Sequence, residues 1–194
     1  MSKETRNRQL GFTLLEAALV VLVIGAVMAF ATPKFVNAMR EYRVSMASRQ
    51  LTDFIHRAKT QAVSDNRGVT LRVDTAGNRL GIVFLDNAGA EVRTDYVPLP
   101  QGVTFSMPAN VTAPMTGAPI SRSVSFAPKT GSTTVFEQVF NSRGFPAVAN
   151  PTTIQAVYVG NGTVFRAVTL TSVGGIRTWK WEATKWVNTR TVKS

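Results

Sequence analysis

Hydrophobic and polar residues follow three successive patterns along the chain. Residues 12–32, FTLLEAALVVLVIGAVMAFAT, are apolar apart from Thr13, Glu16 and Thr32. As a helix, these 21 residues rise about 32 Å, close to the ~30 Å hydrocarbon core of a bilayer. No polar face interrupts them from Ala17 to Ala31, so they predict a transmembrane helix. Beyond Pro33 the apolar positions thin out to helical spacing. Phe35, Met39, Tyr42 and Met46 recur at intervals of four, three and four, and Leu51, Phe54, Ile55, Ala58 and Ala62 continue the series. Arg40, Glu41, Arg43, Arg49, Asp53, Arg57 and Lys59 lie between them. This predicts an amphipathic helix over 33–64 with one face packed on a domain. A coiled-coil seam is the alternative, disfavoured by a short and irregular repeat. From Val69 the period changes to two. Predicted strands are Val69–Thr75, Arg79–Leu85, Glu91–Leu99, Val103–Met107, Ser123–Phe126, Val135–Phe140, Ile154–Val159, Thr163–Leu170 and Ile176–Glu182. Asn161-Gly162 predicts a type I′ hairpin turn, with positive φ at both central residues. Residues 108–119, with three prolines, predict an exposed loop.

Composition narrows the chemistry. Among 194 residues there is no Cys, which excludes disulfides and thiolate metal sites, and one His, which argues against His-based metal clusters and His-containing triads. His56 falls on the amphipathic helix and reads as a surface residue. No phosphate loop, His-Glu-x-x-His or Gly-x-Ser-x-Gly pattern occurs, so the chain carries no catalytic or metal-ligating residues and implies no cofactor. Asp74, Asp86 and Asp95 lack calcium-loop spacing. The net charge is +11, and nearly all of it lies beyond residue 33. A basic soluble part suits anionic partners, and it also serves solubility alone.

A basic start followed by an apolar run also fits a secretory signal. Against that reading stand the length of the run, Glu16 near its start and the helical pattern that follows. Lys3, Arg6 and Arg8 flank one end while Lys34, Arg40 and Arg43 flank the other, so the charge rule does not fix orientation. Glu16 needs a partner or a headgroup position, because a carboxylate in hydrocarbon costs roughly 2.5–3.5 kcal/mol or more.

Arg8-Gln9-Leu10-Gly11-Phe12-Thr13-Leu14-Leu15-Glu16 resembles the N-terminal signal of type IV prepilins and type II secretion pseudopilins. That resemblance implies a leader of residues 1–11, cleavage by prepilin peptidase between Gly11 and Phe12, and N-methylation of Phe12. Glu16 becomes the fifth mature residue, which in the family pairs with the N-terminal amine of a neighbouring subunit. Pro33 takes the position of a family proline that loosens the helix.

Phe140-Asn141-Ser142-Arg143-Gly144-Phe145-Pro146 and the later VTLTSVGGIRTW resemble the C-terminal domain of GspH/FimT minor pilins and pseudopilins. The implied fold class is α+β and pilin-like. A long N-terminal helix over 12–64, transmembrane in its first half, precedes an antiparallel β-rich domain over 65–194. The implied function is assembly into the tip or priming complex of a type IV pilus or a type II secretion pseudopilus. Other pilins or pseudopilins would be partners through the helix. The chain would lie in the bacterial inner membrane as a single-pass protein, with its C-terminal domain in the periplasm or outside, before joining the filament.

An alternative concerns the tail. Arg177, Lys180 and Lys185 are interleaved with Trp179 and Trp181, a mixture of cations and stacking surfaces that suits DNA. Some FimT-like minor pilins take up DNA through a Gly-Arg-x-Arg segment. Here Gly175 stands where the first of those arginines would be, and Arg177 is the second. The competing reading is that Trp179 and Trp181 pack against protein.

Overall fold

The structure is a computed structural model that describes residues 13–86, 88–148, 152 and 154–189. The chain divides into two compact units, one up to Met39 and one from Arg40 onwards.

In the first unit, helix α1 (Leu14–Ser64) begins one residue after Thr13. Thr13 Oγ1 accepts a hydrogen bond from Glu16 N at 3.3 Å, and the Thr13 carbonyl accepts from Ala17 N at 3.2 Å. Thr13 therefore caps the helix, and Glu16 is its third residue, where a carboxylate favours the positive end of the helix dipole. The Thr-x-x-Glu spacing is that of a capping box, and the bond formed is the one from the Glu16 backbone N–H to the Thr13 hydroxyl. The helix remains unbroken across Pro33, although proline lacks the N–H that would bond to the Ala29 carbonyl. Residues 14–39 are exposed throughout, and α1 includes a stretch long and apolar enough to cross a membrane.

The second unit is built on the rest of α1. Val44, Ala47, Leu51, Phe54, Ile55, Ala58 and Ala62 are buried along one face. Ala47, Ser48, Ala58 and Ala62 supply the small side chains of this face. Strands β1 (Val69–Asp74), β2 (Arg79–Leu85), β3 (Glu91–Pro98), β4 (Ala127–Pro128) and β5 (Val135–Phe140) form one antiparallel sheet in the order β3-β2-β1-β5-β4. A second antiparallel sheet has the sequential order β6 (Gln155–Gly160), β7 (Phe165–Leu170), β8 (Ile176–Glu182) and β9 (Lys185–Asn188). Leu71 and Val73 from the first sheet join Val157, Val159, Val168, Leu170 and Ile176 from the second in one core with the helix. This is the α+β architecture of one long helix followed by antiparallel sheets.

Four expectations change. Phe35, Met39, Tyr42 and Met46 do not lie on the packed face; they are 67%, 38%, 57% and 45% exposed. Val44 and Met46 differ by two residues, about 200° around a helix of 3.6 residues per turn. The stripe that includes Met46 therefore points away from the core that Val44 enters. Val103–Met107 and Ser123–Phe126 are not strands, and each makes a single bridge to β6, at Thr104–Gly160 and Val124–Val157. The turn at Asn161-Gly162 is not type I′, since only Gly162 has positive φ. The Asn161 side-chain oxygen instead accepts from Thr163 N and Val164 N. Finally, β8 is not the last strand: β9 pairs with it from Trp179–Asn188 to Glu182–Lys185.

Candidate functional site

Two regions hold the residues singled out by sequence. The first is the start of α1. Gly11 and Phe12 lie outside the described residues. Glu16 is exposed on the first turn, held by the Thr13 cap, and Pro33 lies within the exposed apolar half. An exposed apolar helix surface of this extent requires lipid or other protein to cover it.

The second is the β8–β9 hairpin. Strand alternation divides the tail residues between two faces. Ile176 enters the shared core, and Lys180 on the same face lies 2.8 Å from Glu41 of the helix. Cross-strand pairing places Lys185 opposite Glu182, on this face also. Arg177, Trp179 and Trp181 project from the opposite face. There Trp179 packs with Ala156, Tyr158 and Ala167, and its Nε1 donates to Thr169 Oγ1 at 3.0 Å. Trp181 meets Trp186 edge to face at 5.0 Å, and Trp186 meets Tyr158 at 5.5 Å. Trp186 Nε1 also donates to the Thr112 carbonyl at 2.8 Å, tying the proline-rich loop onto this face. Arg177 is exposed. The hairpin thus brings Arg177 together with Trp179 and Trp181, and leaves Lys180 and Lys185 on the other side.

Charge on the helix side of this sheet is compensated. Glu41 accepts from Lys180, which holds its carboxyl below the ordinary value, with a smaller contribution from Arg166. Arg166 is largely buried, 3.9 Å from the same carboxylate. Burial lowers the Arg166 pKa and Glu41 opposes that change.

The motifs at 140–146 and 171–177 converge on one side chain of α1. Asn141 Oδ1 accepts from Arg143 N and Phe145 N, both at 3.0 Å. This turn places Gly144, at φ 76°, against the helix, where an added Cβ would stand 3.2 Å from Val63 Cγ2 and 3.5 Å from the Lys59 carbonyl. Lys59 Nζ donates to the Gly174 carbonyl at 2.7 Å. These glycines serve close approach of loop to helix. His56, exposed as expected, lines a shallow groove with Lys59, Val63 and Arg143.

A further site lay outside the sequence reading. Arg72 is buried on the outer face of the first sheet, where its guanidinium meets both Glu91 oxygens at 2.6 and 2.7 Å and Glu137 Oε1 at 2.7 Å. Its hydrogen bonds to Glu91 raise the Arg72 pKa and hold Glu91 far below the usual carboxylate range. A lone arginine in an alternating strand gives no sign of its partners, which come from β3 and β5. This network joins β1, β3 and β5. Among the described residues, no group of three or more His, Asp or Glu side chains could hold a metal ion.

No protein-family model matches the sequence, and no curated protein is significantly similar to it. Solved structures similar to the chain include the type IV minor pilin FimU of Pseudomonas aeruginosa (strain PAO1). One crystal form is 17% identical with a TM-score of 0.46, covering 74% of this chain and 92% of that one. A second form is 16% identical with a TM-score of 0.43, covering 74% and 97%. The minor pseudopilin EpsH from the Type 2 Secretion System of Vibrio cholerae is 12% identical with a TM-score of 0.45, covering 70% and 95%.

Proposed function

We propose that the chain is a non-enzymatic minor pilin or pseudopilin of the GspH/FimT type. It is inserted in the bacterial inner membrane, cut by prepilin peptidase between Gly11 and Phe12, methylated on Phe12, and assembled into the tip or priming complex of a type IV pilus or type II secretion pseudopilus. The observation that carries this reading is the helix itself. It starts at a capped Thr13-x-x-Glu16 turn, is apolar from Ala17 to Ala31 and exposed to residue 39, and its residues from Arg40 onwards belong to the β-rich unit. Such a helix serves a subunit that passes from membrane to filament, since either environment covers its apolar surface.

Cleavage creates an ammonium at Phe12, and the Glu16 carboxylate of a neighbouring subunit neutralises it. Because Glu16 is also the third residue of the helix, its replacement has two consequences, and they can be separated. Glu16→Gln retains hydrogen-bonding capacity in the capping turn and removes the charge. Both Glu16→Gln and Glu16→Ala are expected to be processed normally and to be depleted from sheared filaments. Normal incorporation of Glu16→Gln would contradict charge pairing as the basis of assembly.

The alternative, DNA uptake, rests on exposed Arg177 beside Trp179 and Trp181. It is tested by duplex binding across a salt series with Arg177→Ala, and with Lys180→Ala on the opposite face as the control. Binding whose salt slope flattens in Arg177→Ala favours it; a slope that stays unchanged in that variant removes it.

A further inference from the structure

The face of α1 opposite the core is organised in a way that packing of its own domain does not explain. Within the second unit, Tyr42 and Met46 stand 57% and 45% exposed. With Arg49, Asp53, Phe54 and Arg57 they line a groove of about 470 Å³. On a 3.6-residue helix, Tyr42, Asp53 and Arg57 fall within about 40° of Met46, and Arg43 and Arg49 flank it at about 60° on either side. Arg49 and Asp53 follow Tyr42 and Met46 at intervals of three and four, so the stripe is apolar at its first two positions in this unit and charged at the next two. The same spacing begins in the sequence at Phe35 and Met39.

The charges on this face are of one dominant sign. Arg43, Arg49 and Arg57 pair with no carboxylate among the described residues, and Arg57 lies over the Phe54 ring at 5.7 Å. Asp53 is the one acid on the stripe. A second copy of the chain would bring three arginines against three arginines, with one aspartate on each side. Like charges at such a seam disfavour pairing, and opposite charges at flanking positions select the partner.

We propose that this face docks an α-helix of a non-identical subunit, one with an apolar seam of heptad spacing flanked by Asp or Glu. Tyr42 and Met46 supply the apolar contact, while Arg43, Arg49 and Arg57 set partner choice and register. The proposal rests on the reading of the chain as an assembly subunit and names the chemistry of its neighbour.

The test uses the full chain in nanodiscs of zwitterionic lipid. The probes are two labelled 21-residue peptides with Leu at the a and d positions, one with Glu and one with Lys at e and g; charge repulsion keeps each from pairing with itself. Fluorescence anisotropy is expected to show binding of the Glu peptide, weakening as salt rises, and binding of the Lys peptide at least tenfold weaker. Met46→Ser should reduce binding of the Glu peptide at least tenfold. Arg49→Glu with Arg57→Glu should reverse the preference. All three positions are exposed, and circular dichroism confirms that the variants are folded. Equal binding of both peptides, no binding of the Glu peptide at low salt, or an unchanged affinity in Met46→Ser would overturn the proposal. So would efficient disulfide dimerisation of Met46→Cys, which would show that a second copy occupies the face; the chain's lack of other cysteines makes that result unambiguous. Filament incorporation separates the two ideas. If the wild type enters filaments and the double-glutamate variant enters equally well, the subunit reading stands and this proposal fails. If the wild type never enters filaments, the subunit reading fails.

Discussion

Lys180 Nζ lies 2.8 Å from Glu41 Oε1, and Arg166 Nη2 reaches the same oxygen at 3.9 Å. One carboxylate on α1 therefore collects cations from two neighbouring strands of the second sheet. The Glu41 side chain is 44% exposed and that of Lys180 32%, so solvent screens the pair and its contribution is about 0.5–1 kcal/mol. Glu41→Gln should destabilise slightly more than Lys180→Met, because it leaves Arg166 in a largely buried place without its carboxylate. The sign of the pH dependence follows from the lowered pKa of Glu41. Its contribution is present above the unfolded-state pKa and is lost as pH falls through the lower folded-state value. Chemical denaturation at neutral and mildly acidic pH should show that dependence in the wild type and a weaker one in Glu41→Gln.

Arg72 anchors a second, stronger electrostatic feature. Its side chain is 6% exposed, and two carboxylates from different strands close on it. Replacing Arg72 with Met leaves Glu91 and Glu137 facing each other with only the half-exposed Lys129, 3.3 Å from Glu91, as counter-charge, and should cost about 3 kcal/mol. Glu91 is held far below the usual carboxylate range by Arg72, so its contribution persists through mild acid and disappears only in strong acid. In Glu91→Gln the neutral-pH stability should fall, and the remaining loss on strong acidification should be smaller than in the wild type. Equal acid sensitivity in both proteins would contradict the assignment.

Tyr158 presents the opposite case. It is fully buried in the aromatic cluster, and its hydroxyl has no hydrogen-bond partner among the described residues. Burial pushes its pKa up to about 12. A buried hydroxyl without a partner costs about 1–3 kcal/mol, so Tyr158→Phe should raise stability by roughly 1 kcal/mol. A Tm lower than that of the wild type would show that the hydroxyl is satisfied.

The helix was legible in the sequence because apolar runs and helical spacing report directly on length, and its end near Ser64 followed from the turn after it. Which face packs inward was not legible. Tyr42 and Met46 have the same residue character and spacing as core positions, and only the sheets show that Val44 and Ala47 are the residues covered. The β8–β9 hairpin was missed because its turn, Glu182-Ala183-Thr184-Lys185, contains no glycine; Ala183 takes the positive φ of 54° that glycine usually supplies. The tail cations and tryptophans looked like one cluster along the chain. The two-residue period of β8 separates them in space, with Lys180 turned to Glu41 and Trp179 to Thr169. Arg72 was invisible as a site because both partners lie far away in sequence.

Processing by prepilin peptidase distinguishes a pilin subunit from a secreted protein. The chain is produced in bacterial membranes with and without an active prepilin peptidase, and its intact mass is measured. With the peptidase, the mass is expected to fall by residues 1–11 and to gain one methyl group on Phe12; without it, the full chain is expected to persist. An unshortened chain in the presence of the peptidase, or a cut after a small residue beyond Ala31, would contradict the pilin reading, the second result marking the apolar run as a secretory signal.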